Sequence, residues 1–148
     1  MNNSKSKLLA FLCLALLLVN TTCNEDDLPI NEVCDYNVVI NQMLYNEIDN
    51  ENSLTIQEAI LNDNCLELLV SASGCDGESW EFALVDSGDI AESSPIQRFL
   101  KLNFTNNEAC LAVITRVVSF DISDLQMPNE NEVLLNIEDL SESFLYQY

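Results

Sequence analysis

The segment whose residue types most suggest chemistry surrounds the single tryptophan of the chain. Residues 76–81, Asp-Gly-Glu-Ser-Trp-Glu, place three carboxylates beside Trp80, as a sugar-binding edge would. A glycosidase needs two opposed carboxylates and a shaped cleft with stacking aromatic rings. Trp80, however, alternates with Phe82 and Leu84, which is the spacing of one face of a strand, and tryptophans are highly buried on average. The pattern favours core packing of Trp80, and we predict that the chain is not an enzyme.

Calcium is the one cofactor that the acidic loops suggest. Residues 49–52, 86–92 and 129–132 supply the hard oxygen ligands that this ion requires. They have no EF-hand spacing, and the chain contains no glycine-aspartate repeat. Ordinary solvated turns explain these residues better. We therefore predict no cofactor and no metal site, with calcium as the alternative.

Positive charge is concentrated in one short segment. Residues 97–101, Gln-Arg-Phe-Leu-Lys, hold Arg98 and Lys101, two of the three basic residues beyond residue 22. They could mark a contact site, or Lys101 could protect an edge strand against aggregation. Because 25 acidic residues surround them in the sequence, a neutralising partner is hard to avoid. We predict a structural role, with ion pairs across a sheet.

The charge balance and the absence of histidine exclude several functions. Without histidine there is no Ser-His-Asp or Cys-His catalysis, no imidazole metal site and no histidine pH switch. Removal of residues 1–22 would leave 126 residues with 25 acidic and three basic side chains, a formal charge of −22. Such a chain suits a single domain. Nucleic acid and anionic lipid faces are unsuitable partners, since both bind basic patches.

The N-terminus has the pattern of an export signal. Lys5 and Lys7 lie in a short polar segment, and residues 8–19 (LLAFLCLALLLV) form an apolar run of twelve residues without a charge. A helix that spans a bilayer needs about 20 such residues. We therefore predict that residues 1–22 are a signal peptide and not a transmembrane helix.

Cys23 follows this apolar run at the place of a lipid attachment site. It resembles the cysteine of the bacterial lipobox, which is lipidated and becomes residue one, although Asn20 and Thr22 depart from the usual residues. Residues 24–27, Asn-Glu-Asp-Asp, resemble the surface-export signal of Bacteroidota-type lipoproteins. The resemblance implies a lipidated Cys23, an acidic tether over residues 23–33 and display on the outer membrane. The alternative is ordinary cleavage near Thr22, with Cys23 left as a free thiol.

Four further cysteines predict two disulfides in the exported domain, residues 34–148. They are Cys34, Cys65, Cys75 and Cys110. An even number in a small exported domain indicates a disulfide framework. A strand over residues 65–73 would hold Cys65 and Cys75 about 30 Å apart, whereas bridged Cα atoms lie about 4.4–6.8 Å apart. Two pairings stay open: Cys34–Cys65 with Cys75–Cys110, or Cys34–Cys75 with Cys65–Cys110. A four-cysteine zinc site is disfavoured because no CxxC pair occurs.

Alternating hydrophobic residues predict short strands through most of this domain. The predicted strands cover residues 38–44, 54–60, 65–73, 79–85, 99–104, 110–122, 133–137 and 144–148, although residues 57–61 could also form a helical turn. The predicted polar turns cover residues 62–64, 74–77, 87–89, 105–107 and 128–131. With three glycines in the chain, these turns depend on Asn and Asp, which tolerate positive φ.

Seven or eight short strands in this length predict an all-β fold, a small antiparallel β-sandwich stapled by disulfides, with a barrel as the alternative. The order Cys65, Trp80, Cys110 is that of an immunoglobulin domain, but Cys65 would start its strand and the tyrosine-corner position holds Glu108. An immunoglobulin-like architecture is therefore predicted for the layout of the strands alone.

Several short motifs resemble a group of small Bacteroidota lipoproteins over most of residues 54–148. The motifs are Asp63-x-Cys65-Leu66, Ser73-Gly74-Cys75-Asp76-Gly77, Glu92-Ser93-x-Pro95, Ala109-Cys110-x-Ala112, Ser119-Phe120-Asp121-Ile122-Ser123 and Leu145-Tyr146-x-Tyr148. That group has no assigned activity, so the resemblance implies a compartment and an all-β class, and no catalytic residues.

These features together predict a surface-exposed lipoprotein of the outer membrane that acts as a non-enzymatic binding module. Its partners would be the membrane, through the lipid, and a protein or glycan ligand at the cell surface. The alternative is an inhibitor of a secreted basic hydrolase such as a lysozyme, because a charge near −22 would attract a cationic enzyme.

Overall fold

Nine β-strands make up most of the regular structure in the computed structural model, which describes residues 33–49 and 53–148. The strands are β1 (Tyr36–Asn37), β2 (Val39–Ile40), β3 (Thr55–Asn62), β4 (Cys65–Gly74), β5 (Glu81–Ala91), β6 (Ile96–Thr105), β7 (Ala112–Asp121), β8 (Glu132–Ile137) and β9 (Ser143–Gln147). A short helix, α1 (Gln42–Glu47), and a 3-10 turn, Ser123–Leu125, complete it. The all-β, disulfide-stapled fold class is confirmed.

The predicted signal peptide, the lipidation site Cys23 and the tether up to residue 32 lie outside the described residues. Among the residues that are described, no helix is long and apolar enough to cross a membrane.

The strands form two sheets with mixed pairing. The first sheet has the order β1-β7-β4-β3, and the second has the order β2-β5-β6-β8-β9. The hairpins β3–β4, β5–β6 and β8–β9 and the pair β4–β7 are antiparallel, as predicted. Three pairs are parallel instead: β1–β7, β2–β5 and β6–β8. The β6–β8 pair is parallel because the chain leaves the second sheet after β6, forms β7 in the first sheet, and then returns to the second sheet as β8.

One hydrophobic core lies between the sheets, with residues from both. Leu66, Leu68 and Val70 of β4 are fully buried, as their alternation predicts, and Leu100 and Leu102 of β6 face them from the second sheet. Each buried leucine contributes about 1.5–3 kcal/mol relative to an exposed one.

The predicted strand over residues 38–44 is wrong in part. The chain forms β1 and β2 on either side of Val38 and then turns into α1. The Asn41 side-chain oxygen accepts hydrogen bonds from the N–H groups of Met43 (3.0 Å) and Leu44 (3.1 Å), which caps the helix. This cap ends the extended run that the apolar residues alone suggested. Val38 is buried at the point where the chain passes from the first sheet to the second.

The predicted turn at residues 87–89 lies inside β5 as a bulge. The pairing register with β6 shifts between Asp86 and Ile90. Gly88 takes a φ of +79°, and its N–H donates to Asp86 Oδ1 at 2.7 Å. The residues do have turn chemistry, but the strand continues beyond them. Other predicted turns hold, since Asp63 (φ 49°) and Asn129 (φ 67°) supply positive φ where glycine is missing.

Candidate functional site

Two disulfides fix the two ends of β4. Cys34 bonds Cys65, with Cα atoms 5.9 Å apart, and Cys75 bonds Cys110, with Cα atoms 4.9 Å apart. This is one of the two pairings that the sequence left open. Cys65 begins the ten-residue strand β4 and Cys75 follows its last residue, so the length of the strand separates them.

The second disulfide joins two loops, residues 75–80 and 106–110, which we call the loop clasp. The Glu108 carboxylate crosses from one loop to the other and accepts hydrogen bonds from four donors. They are the N–H groups of Cys75 (2.5 Å), Asp76 (3.3 Å) and Gly77 (3.2 Å) and the hydroxyl of Ser79 (3.0 Å). A Cβ at Gly74 would lie 2.5 Å from Glu108 Oε2, so this approach requires glycine. The clasp is thus held by a covalent bond and by a carboxylate.

The hydrogen bonds change the acidity of Glu108. Desolvation alone would raise its pKa, but the hydrogen bonds from the N–H groups and from Ser79 outweigh it. They lower the pKa from 4.5 to about 2. The folded clasp therefore prefers the ionised carboxylate.

We expect the stability that Glu108 contributes to depend on pH. Because its pKa is lower in the folded state, the contribution is present above pH 4.5 and is lost as the pH falls from 4.5 through about 2. In urea titrations, Glu108→Gln should be less stable than the natural chain at pH 7, and the gap should narrow below pH 4.5. Glu92→Gln removes an exposed carboxylate with the same change in net charge and is the control. A gap of constant size down to pH 2 would contradict this assignment.

A cavity of about 300 Å³ lies next to the clasp. It is lined by residues of β7 in the first sheet and by residues at the start of β5 in the second. Trp80 and Phe82 come from the second sheet's side, and Arg116, Val117 and Val118 come from β7. Its remaining lining residues are Asp35, Tyr36 and Glu78. Aromatic rings, two carboxylates and one guanidinium therefore meet at one concave site.

Trp80 forms one wall of this cavity and also belongs to the core, as predicted. It is 4% exposed and packs edge-on against Phe104, with ring centroids 5.2 Å apart. Within the described part of the chain its indole Nε1 has no hydrogen-bond partner. The loop 76–81 does not present Trp80 as an exposed sugar-stacking platform.

Arg116 contributes the positive charge of the cavity. Its Nη1 donates to the Gly77 carbonyl, which ties β7 to the loop clasp. Unlike the other two cations of the domain, it has no carboxylate within ion-pair distance among residues 33–49 and 53–148.

Arg98 and Lys101 have the structural role that their position predicted. Arg98 forms a buried two-bond pair with Asp86, from Nε to Oδ2 at 3.0 Å and from Nη2 to Oδ1 at 2.7 Å. Lys101 pairs with Glu138 at 3.2 Å and lies over the Tyr45 ring. The edge-strand interpretation of Lys101 is wrong, because β6 is the central strand of the second sheet.

Two solved structures resemble this chain. One is a protein of unknown function, DUF1344, from Bacteroides vulgatus, at 17% identity and a TM-score of 0.51; the match covers 76% of this chain and 56% of that one. The other is a putative toxin-related protein from Parabacteroides distasonis, at 12% identity and a TM-score of 0.49, covering 76% and 58%. This chain thus spans somewhat more than half the length of each.

The first likeness shows the fold alone, a fold found in a Bacteroidota protein of unknown function. No protein family and no curated protein matches the sequence.

The structure also places the residues that suggested calcium. Residues 86–92 are not a free loop, since all but the last belong to β5 and Asp86 is fully buried against Arg98. Residues 86–92 therefore do not form the solvated acidic loop that the calcium alternative assumed. Of residues 49–52, the last three lie outside the described residues. In the described ranges, no three Cys, Asp or Glu side chains gather as metal ligands would.

Sequence reasoning did not find the clasp or the cavity. Glu108 lies two residues before Cys110, and this proximity to a stapled cysteine was the one local signal for its role. The cavity joins Trp80 to Arg116, and no pattern within either segment indicates that they meet.

Proposed function

We propose that the chain is a non-enzymatic binding module, held at the outer membrane by a lipid on Cys23 and displayed on the cell surface. The observation that carries the binding role is the cavity beside the loop clasp, lined by Tyr36, Trp80 and Phe82 together with a few charged groups. Ligand sites are typically concave, and a small number of placed polar groups fix the orientation of the ligand. The clasp would keep such a site preformed, because a disulfide and Glu108 hold one of its walls.

The contacts of Asp86 and Glu108 argue against these two carboxylates as general bases. A general base needs a free lone pair that faces the substrate. Asp86 is engaged by Arg98, and Glu108 is engaged by the backbone of the clasp. Neither side chain lines the cavity. Asp86 and Glu108 thus stabilise the fold and do not act at the cavity.

The anchor can be tested with one pair of variants. We expect Cys23→Ala to move the protein from the membrane fraction to the soluble fraction, because the variant cannot carry the lipid. Cys13→Ala lies within the apolar run and should leave the protein on the membrane. Protease added to intact cells should cleave the natural chain. A Cys23→Ala protein that stays on the membrane would overturn the lipid anchor, and a chain that resists protease on intact cells would overturn surface display.

Crosslinking on intact cells, followed by capture of the natural chain, tests the binding role without assuming a ligand.

The inhibitor alternative is favoured by one feature: Leu111, 90% exposed, projects next to the rigid clasp as an inhibitory loop would. Capture of a cationic hydrolase whose activity the purified chain blocks at low salt would favour this alternative over the general binding role.

A further inference from the structure

We propose that β7 binds an extended cationic polypeptide segment, which adds to the first sheet as a further strand beside residues 112–118. We call this side of β7 the open edge. The inference rests on the proposed binding function and names the class of its partner.

The direction of the backbone groups shows that the open edge carries N–H and C=O groups that point away from β4. The Ser119 N–H donates to Asp35 Oδ2 at 2.9 Å, and the Asp121 carbonyl accepts from the Val38 N–H at 2.9 Å. Both contacts lie on the β1 side of β7. Since backbone groups alternate in direction along a strand, the N–H and C=O groups of Val113, Thr115 and Val117 point the same way.

No described strand occupies that side of β7 before Phe120. β1 pairs with Phe120 and Asp121 alone, whereas β4 pairs with the opposite side along the whole of β7. The chain itself therefore already adds a parallel strand, β1, to this edge, but β1 covers only two residues of β7. An added segment would continue the line of β1.

The side chains of the open edge suit a partner strand. Val113 is 75% exposed and Val117 is 58% exposed, with Leu111 just before them. Cross-strand pairing with β-branched or aliphatic residues would cover them. The opposite edge of the sheet, β3, is less suitable because a bulge interrupts it between Ile56 and Glu58. β7 keeps an unbroken register with β4 from Ala112 to Asp121.

The charge of the domain selects a cationic partner. Every second residue of an added strand would face the cavity. The cavity has two carboxylates, Asp35 and Glu78, and one guanidinium, that of Arg116. This guanidinium already donates to the Gly77 carbonyl. The chain as a whole carries a formal charge of −20, which attracts a basic segment over long range. A second copy of this chain would bring the same negative charge to the edge, which opposes edge-to-edge pairing of two copies.

The test uses an end-blocked octapeptide of alternating valine and lysine, a control peptide with glutamate for lysine, and the natural mature chain. Amide hydrogen exchange should be fast at Val113, Thr115 and Val117 and slow at Ile114 and Arg116, whose N–H groups face β4. The valine-lysine peptide should bind, slow exchange at the three open-edge amides and bind more weakly as salt is added. The glutamate peptide should not bind.

Two variants locate the contact. Thr115→Pro removes an N–H that faces the open edge and leaves the β4 ladder intact, so the fold should persist while peptide affinity falls at least about tenfold. Val117→Lys keeps all backbone groups and should weaken the same peptide by charge repulsion. Val117→Glu, the matched control, should not.

Binding that is unchanged in Thr115→Pro and in Val117→Lys would overturn the proposal, as would no peptide binding at all. Slow exchange at the open-edge amides without peptide, together with concentration-dependent dimers, would identify a second copy as the occupant and also overturn it. In either case the anchoring and capture experiments would still report separately on the proposed binding function.

Discussion

Arg98→Ala should lower the free energy of unfolding by about 3–5 kcal/mol, because it leaves the Asp86 carboxylate charged and buried without its partner. Asp86 is fully buried and Arg98 is 5% exposed, so the pair is shielded from water in the natural chain. The pair lies where the β5–β6 register shifts between Asp86 and Ile90. Urea titration at pH 7 measures the loss.

Two further variants separate this effect from a general loss of charge. Glu138→Gln removes the partner of Lys101, a carboxylate that is about half exposed, and should cost at most about 1 kcal/mol. The double variant Asp86→Leu, Arg98→Met should be more stable than Arg98→Ala, since no unpaired charge remains. It should still be less stable than the natural chain, because the Gly88 N–H loses its acceptor. A loss below about 1 kcal/mol in Arg98→Ala would contradict the buried pair.

Removal of the clasp disulfide, by Cys75→Ala with Cys110→Ala, should cost about 4 kcal/mol, because the bond closes a loop of 35 residues in the unfolded chain. Both cysteines are exposed, so the substitution changes little buried surface and reports mainly on the crosslink. The pH-dependent contribution of Glu108 should shrink in the same variant, since its donors Cys75, Asp76 and Gly77 are no longer held opposite it.

The natural chain under reducing conditions provides the comparison for this variant. Reduction breaks two disulfides in the natural chain but only one, Cys34–Cys65, in the double-alanine variant. It should therefore lower the stability of the natural chain by more than that of the variant. Equal stability of the natural chain and the variant under oxidising conditions would show that the Cys75–Cys110 bond does not form.

Strands were predictable where burial alternates along one segment. β4 and β6 follow this rule, since their inward residues are buried one after another on a single face. The rule failed at residues 42–44, which were predicted as strand, because the Asn41 side chain accepts hydrogen bonds from N–H groups of the first helical turn. At residues 87–89 a turn was predicted, but the turn-forming residues there form a bulge inside β5. In both places, local polar contacts outweigh the hydrophobic pattern.

Pairing between distant strands could not be read from any one segment. The rare basic residues predicted ion pairs, but the choice of Asp86 for Arg98 depends on the register of β5 with β6. The cavity likewise depends on β1 and β2 pairing with different sheets, which leaves one side of β7 without a neighbour before Phe120 in the described chain. Alternation indicates which residues turn inward, and it carries no information on which strand lies next to which.

The Cys34–Cys65 bond also determines how the domain bears mechanical load. A pull on the chain before Cys34 enters the domain at that residue, and the bond passes it directly to Cys65 at the start of β4. β4 lies inside the first sheet, between β7 and β3, so the force is shared by two ladders. Without the bond, tension would first reach β1, a two-residue strand that could be peeled from β7. For any pull that reaches the domain from the N-terminal side, the disulfide would thus carry the load before β1 does.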